Sequence, residues 1–232
     1  MSKNHVEGYK EFRGDIYPAK KDLFEELASG QHPHTLFVTC SDSRVVPDLI
    51  LQTNPGELFI VRNAGNMVPA YGGMIGGIAA TIEYGLMALG IRQIIICGHS
   101  DCGAMKGVLY PEKVKELPTV SAWLRNGSAA RMVTLECYPE LGEAEQLEVL
   151  TRENILAQVD NLRTHPSVAA LMAKGELAVH AWHFTIATGE VTAFDCEQGD
   201  FLPLDGPKAP VALPPSRLCA CRRKFGVAHV QV

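Results

Sequence analysis

The sequence lacks the marks of several large protein classes. Its first stretch, Met1 to Lys21, is polar and charged, so no secretory signal peptide is expected. Basic residues are in the minority: 21 Lys and Arg stand against 26 Asp and Glu, for a net charge of −5. That balance argues against nucleic acid as the partner. Long hydrophobic runs are missing. The uncharged stretch Asn63 to Ile82 holds five glycines, a proline and two asparagines, too polar and too broken for a membrane span. No Gly-x-x-x-x-Gly-Lys-[Ser/Thr] phosphate loop occurs. Gly72-Gly73-Met74-Ile75-Gly76-Gly77 misses the Gly-x-Gly-x-x-Gly spacing and reads as a site of close packing. There is no internal repeat. The seven cysteines are an odd set with no export signal, which excludes a disulfide framework and leaves reduced thiols in a cytoplasmic protein.

What is present is an ordinary globular composition, 47% hydrophobic and 20% charged, in 232 residues. That length supports one domain with appendages. Residues 1–33 read as an N-terminal helical arm. Its helix, Ala19 to Ala28, sets Leu23, Phe24 and Leu27 on one face, and it is too short to stand without packing on the body or on another subunit. Thr35–Thr39, Leu58–Val61 and Gln93–Cys97 are short apolar, largely β-branched runs, each read as a buried strand. Helices are expected over Pro47–Leu51, Ile75–Leu89, Cys102–Leu109, Thr119–Leu124, Ser128–Cys137 and Leu141–Leu162, with a further one from Pro166 to Gly175. Leu177–Ile186 and Glu190–Phe194 flank Ala187-Thr188-Gly189 as a hairpin. The fold class is therefore α/β: a mostly parallel central sheet flanked by helices, with an antiparallel edge strand near the C-terminus. The main α/β unit spans 34–198. Residues 199–232, with five prolines between Pro203 and Pro215 and a basic Arg217–Lys224, read as an extension.

The chemistry concentrates in Cys40-Ser41-Asp42-Ser43-Arg44 and His99-Ser100-Asp101-Cys102, each directly after an apolar run. Parallel strands joined by right-handed crossovers put their C-terminal ends on one edge of the sheet, so Cys40 and His99 meet there. Two thiolates and an imidazole are three of the four ligands of a tetrahedral Zn²⁺, and a fourth position left to water is the catalytic pattern. Asp42 is placed to ligate the metal or to orient its water. Arg44, two residues on, is placed to hold that carboxylate in a bidentate pair. Taken singly, the thiols read as well as buried core cysteines, His99 as a core histidine and Asp42–Arg44 as a surface pair. Their conjunction at two strand ends is what favours a metal site. Cys219-Ala220-Cys221 reads as an incidental pair and Cys97 as a core thiol. His32, His34, His180 and His183 have no evident metal partner.

Cys40–Arg44, Arg62-Asn63-Ala64-Gly65-Asn66 and Gly98-His99-Ser100-Asp101-Cys102-Gly103 resemble the signatures of the β-class carbonic anhydrases over about residues 20 to 195. The resemblance implies a zinc lyase that hydrates carbon dioxide reversibly to bicarbonate through zinc-bound hydroxide. It also implies a homodimer or higher homo-oligomer. Cys40, His99 and Cys102 match the metal ligands, and Asp42 and Arg44 the catalytic dyad. Gln31, Phe59 and Tyr84 match substrate-pocket residues that come partly from the neighbouring subunit. Phe37, where the bicarbonate-regulated branch has tryptophan, and Val45-Val46-Pro47 imply the plant-type branch with an open site. Two thiolates neutralise the zinc charge, so activity is expected to rise with pH. A carbon disulfide or carbonyl sulfide hydrolase on the same scaffold, and a non-enzymatic zinc scaffold, are the other readings.

Overall fold

The computed structural model describes residues 4–73 and 76–205. Six strands form one sheet in the order β2-β1-β3-β4-β5-β6. They are β1 Thr35–Cys40, β2 Leu58–Asn63, β3 Gln93–His99, β4 Ala178–Phe184, β5 Val191–Asp195 and β6 Asp200–Pro203. The β1–β2, β1–β3 and β3–β4 pairs are parallel, and β5 and β6 add antiparallel strands at one edge. This is the α/β architecture that the alternation of apolar runs and helical segments predicts.

The period of two along each strand divides the core. Leu36, Val38, Ile94 and Ile96 face one side. There they meet α5 (Gly77–Glu83) with the π turn Tyr84–Ala88 that continues it, α9 (Glu143–Arg163) and α10 (Pro166–Ala173). Phe37, Ile95 and Cys97 face the other side, against the short helix α4 (Pro47–Leu51). A third cluster, at the C-terminal edge of the sheet, joins Cys40, Cys102, Met67 and Met105. It includes α6 (Gly103–Leu109) and α7 (Pro118–Leu124), with α8 (Ser128–Cys137) packed alongside on α9. The bounds of α4 and α8 coincide with those read from the sequence.

Four features differ from that reading. The arm is helical from α1 (His5–Glu11) through a π segment Phe12–Ile16 and α2 (Tyr17–Ala19) to α3 (Lys21–Leu27), well ahead of Ala19. No residue of these elements is fully buried. Within them the rings of Phe12, Tyr17 and Phe24 pack on one another, with centroids 5.2 to 6.1 Å apart. Second, β3 continues to His99, because its pairing with β4 runs on to Phe184. Third, Cys102 is the N-cap of α6 with extended backbone, φ −67° and ψ 121°, and not a residue of its first turn. Fourth, Asp200–Pro203, read as the start of the extension, pair with β5 as β6. Phe201 is fully buried against Phe194, with ring centroids 5.4 Å apart. A four-residue strand is too short to show a period. Its proline is tolerated at the sheet edge, where no ladder donor is required. Ile75, Arg217–Lys224, the Cys219–Cys221 pair and the prolines from Pro207 onward lie outside the described residues.

Candidate metal centre

Two adjacent parallel strands end side by side. Cys40 closes β1 and His99 closes β3. The turn after His99 is pinned to β4: Ser100 N–H donates to the Phe184 carbonyl at 3.0 Å, and Ile186 N–H donates to Ser100 Oγ at 3.0 Å. Asp101 takes a left-handed backbone, φ 56°, which reverses the chain and returns Cys102 toward His99. The donor atoms of Cys40, His99 and Cys102 then lie within 4.8 Å of one another, and all three residues are buried. Among the described residues no other group of three His, Cys, Asp or Glu donors is so close.

The chemistry of this donor set fits a metal ion. His99 Nδ1 lies 2.9 Å from the Ser100 carbonyl, an acceptor, so the ring proton sits there and the Nε2 lone pair is free. Nε2 is buried with no hydrogen-bond partner, a cost that a protein does not normally leave uncompensated. The two sulfurs are 3.9 Å apart. The Cys40 thiol is drawn below its usual range, chiefly by its hydrogen bond with Cys102, and also by His99 and the Gly65 and Asp42 amides, against the opposing effect of burial. Cys102 moves the other way, because its proton is shared with Cys40, its thiol is buried and a thiolate stands beside it. Two sulfurs 3.9 Å apart beside an open imidazole nitrogen are a site for a thiophilic, nitrogen-accepting cation such as Zn²⁺. Cys97 is the contrast: burial pushes its thiol up to about 12, and it is a core residue.

Asp42 and Arg44 form the expected bidentate pair, with Arg44 Nε to Asp42 Oδ1 at 2.9 Å and Nη2 to Oδ2 at 2.8 Å. That pair holds the Asp42 carboxyl well below the usual carboxylate range. Asp42 Oδ2 is 3.9 Å from His99 Nε2, so the carboxylate borders the cluster while committed to the guanidinium. Arg44 is anchored from its far side too. Its Nη1 donates to Asp101 Oδ2 at 3.0 Å, and Asp101 is itself paired with Lys106.

The roles of several residues escape sequence reasoning, Arg62 of the second signature among them. Arg62 knits the loop after Cys40 by donating to the carbonyls of Cys40 at 3.1 Å and of Asp42 and Val45 at 2.8 Å. Asn154 and Gln158 are fully buried in α9 and reach the loop after β2. Two amides four apart, on either side of the apolar Ile155-Leu156-Ala157, are the signal that could have found them. The three pocket residues are not brought to the cluster of their own chain. Phe59 pairs with Leu36 near the start of the edge strand β2, four residues or about 13 Å from the Asn63 that pairs with Cys40. Tyr84 lies beside it, half exposed, at a ring separation of 6.2 Å. Gln31 is exposed ahead of β1, at the opposite edge of the sheet.

Comparison with known proteins agrees with this geometry. A family model described as carbonic anhydrase matches residues 35–191. A carbonic anhydrase of Pseudomonas aeruginosa is 45% identical over 199 residues, 86% of this chain and 90% of its own length. One from Synechocystis is 47% identical over 198 residues, 85% of this chain and 72% of its own. The solved structure of the β-carbonic anhydrase CcaA superposes with a TM-score of 0.84 at 47% identity, covering 85% of this chain and 97% of that one. A tetrameric β-carbonic anhydrase of Sordaria macrospora superposes with a TM-score of 0.74 at 28% identity, covering 83% and 95%. With the fold, the paired strand ends and the relatives in agreement, the chain belongs to the β-class carbonic anhydrases, a family of lyases.

Proposed function

We propose that the protein catalyses the zinc-dependent, reversible hydration of carbon dioxide to bicarbonate and a proton, with Cys40, His99 and Cys102 as the ligands. The observation that carries this is the buried, unpartnered Nε2 of His99 facing two sulfurs within 4.8 Å. When bound, zinc supplies the Lewis acidity that brings the pKa of a water molecule down from about 15.7 toward neutrality. The chain's residues do the rest. Ser100 fixes the His99 tautomer through its carbonyl. Arg44 keeps Asp42 ionised and committed to the guanidinium, so the carboxylate borders the three residues that would hold the ion without joining them. Asp42 Oδ2 accepts the hydrogen of the attacking water and so aims its lone pair at carbon dioxide.

We place the protein in the plant-type branch with an open site. Phe37 lies edge-on to Trp182 at 6.2 Å, and Asp42 is fully engaged by Arg44. We also propose a homodimer or higher homo-oligomer, in which Gln31, Phe59 and Tyr84 of one subunit complete the substrate pocket of another. An open face supports this: Tyr71, Tyr84 and Met87 are 48%, 51% and 65% exposed around a cavity of 520 Å³. The Sordaria relative is tetrameric by its own description. Among the described residues no helix is long and apolar enough to cross a membrane, and the cysteines are unpaired; we assign the protein to the cytoplasm, where such thiols stay reduced.

The test is stopped-flow hydration of carbon dioxide with metal analysis of the same sample. One zinc per subunit, activity lost on chelation and activity restored by zinc are expected. Full activity in a metal-free sample would overturn the assignment.

A further inference from the structure

Gly65 stands at the centre of an arrangement that the catalytic roles above leave unexplained. Its N–H donates to Cys40 Sγ at 3.4 Å. The peptide that carries this N–H is held at its other end, where the Ala64 carbonyl accepts from Trp123 Nε1 at 2.8 Å. The following peptide is held too: the Gly65 carbonyl accepts from Asn154 Nδ2 at 3.2 Å. Asn154 cannot turn its amide over, because its Oδ1 accepts from Gln158 Nε2 at 2.9 Å. Gln158 is itself committed on both ends, donating to the Asn126 carbonyl at 3.1 Å and accepting from Val68 N–H at 2.8 Å.

The backbone between these anchors has little freedom. Gly65 has φ +82°, where a side chain is strained. A Cβ there would lie 2.9 Å from Met105 Cε and 3.0 Å from Ala104 Cβ, both on the helix that Cys102 caps. Asn63 closes the same loop, its Oδ1 accepting from Met67 N–H at 2.7 Å and its Nδ2 donating to the Met67 carbonyl at 2.9 Å. Two separate helices, α7 and α9, thus hold the peptides on either side of Gly65 with its N–H toward one sulfur.

We propose that Trp123 and Asn154 are positioning residues that hold the Gly65 N–H on the Cys40 sulfur and thereby lower the electron density this thiolate gives to the metal. The inference rests on the reading of Cys40 as a metal ligand. A hydrogen bond to a charged acceptor is stronger than a neutral one and draws charge from it. Groups that hydrogen-bond to ligands tune the metal in this way. The consequence bears on a difficulty of the site itself: two thiolates cancel the charge of a divalent cation and blunt its Lewis acidity, and an N–H on one of them returns part of it.

Two measurements test this. In protein loaded with ¹¹³Cd in place of zinc, scalar coupling to the metal is expected on the Cys40 β-protons and, across the hydrogen bond, on the Gly65 amide proton. In Co²⁺-loaded protein, Trp123→Phe and Asn154→Ala are expected to move the sulfur-to-cobalt charge-transfer band to longer wavelength with the metal content unchanged. Trp123→Phe keeps the ring and removes only the donor, so it reads the hydrogen bond apart from packing. Coupling to the Cys40 β-protons without coupling to the Gly65 amide would overturn the hydrogen bond. Bands that superimpose on wild type in both variants would overturn the positioning roles. Absence of any coupling to Cys40 would remove the metal assignment, and this inference with it.

Discussion

Asp42 and Arg44 meet through two parallel hydrogen bonds of 2.9 and 2.8 Å, yet the same carboxylate lies 3.9 Å from the open nitrogen of His99. The guanidinium therefore decides which neighbour Asp42 serves. Asp42→Asn keeps the shape and removes the charge, so zinc is retained while hydration falls about a hundredfold. Steady-state kinetics beside metal analysis check both halves. Full activity in this variant would remove Asp42 from the mechanism.

Metal removal reaches beyond activity. The three donor residues are buried, and the Nε2 of His99 has no hydrogen-bond partner, so an ion bound there would contribute to the folded state. Free zinc at a hundred times its Kd adds about 2.7 kcal/mol of stability. Thermal unfolding with and without chelator is expected to show a lower Tm for the stripped protein, and Cys102→Ser is expected to show no response to added zinc.

Gly98 sits directly under α9. A Cβ at this position would be 2.8 Å from both Ile155 Cδ1 and Ile155 Cγ1. Gly98→Ala must push β3 and α9 apart one residue before His99, at a cost of about 1–3 kcal/mol. Urea unfolding is expected to show that loss, and zinc affinity is expected to fall with it. Adding Ile155→Val, which deletes a methyl at the contact, should recover part of both.

His183 makes acid stability a property of the fold. Burial, reinforced by the Arg152 guanidinium, lowers its pKa to about 3. The Glu148 carboxylate 3.3 Å away does not reverse this. Between pH 3 and the ordinary value near 6.5 the unfolded chain binds a proton on this ring and the folded chain does not. Unfolding is therefore increasingly favoured as the pH falls through that window. Glu148, whose own pKa is raised by burial, acts in the opposite sense, so the informative quantity is a difference. The unfolding free energy of wild type minus that of His183→Phe, measured at pH 7 and pH 4.5, is expected to shrink at the lower pH.

The face formed by Tyr84 and Met87 is apolar and open in the single chain. Met87→Glu places a charge where a second copy would bury it. Sedimentation velocity is expected to show a smaller assembly, with zinc bound and hydration reduced, because the pocket residues Phe59 and Tyr84 would have no second site to complete.

The sequence by itself determined which three donor residues come together, Cys40, His99 and Cys102, and on what scaffold they sit. Strand identity is local: an apolar run such as Thr35–Cys40 is readable where it stands, and a parallel sheet delivers the ends of its strands to one edge whatever the loops do. Helix limits marked by proline or a change of pattern, as in α4 and α8, were legible for the same reason. The tertiary structure alone decided what surrounds that metal site. Asn154 and Gly65 are 89 residues apart, Arg44 and Asp101 57 apart, and no local pattern couples such pairs. The short strand β6 and the distance of Phe59 and Tyr84 from their own metal centre belong to the same category. These features depend on which element packs against which, and that is set by the summed burial of the whole chain, not by the residues at either end of a contact.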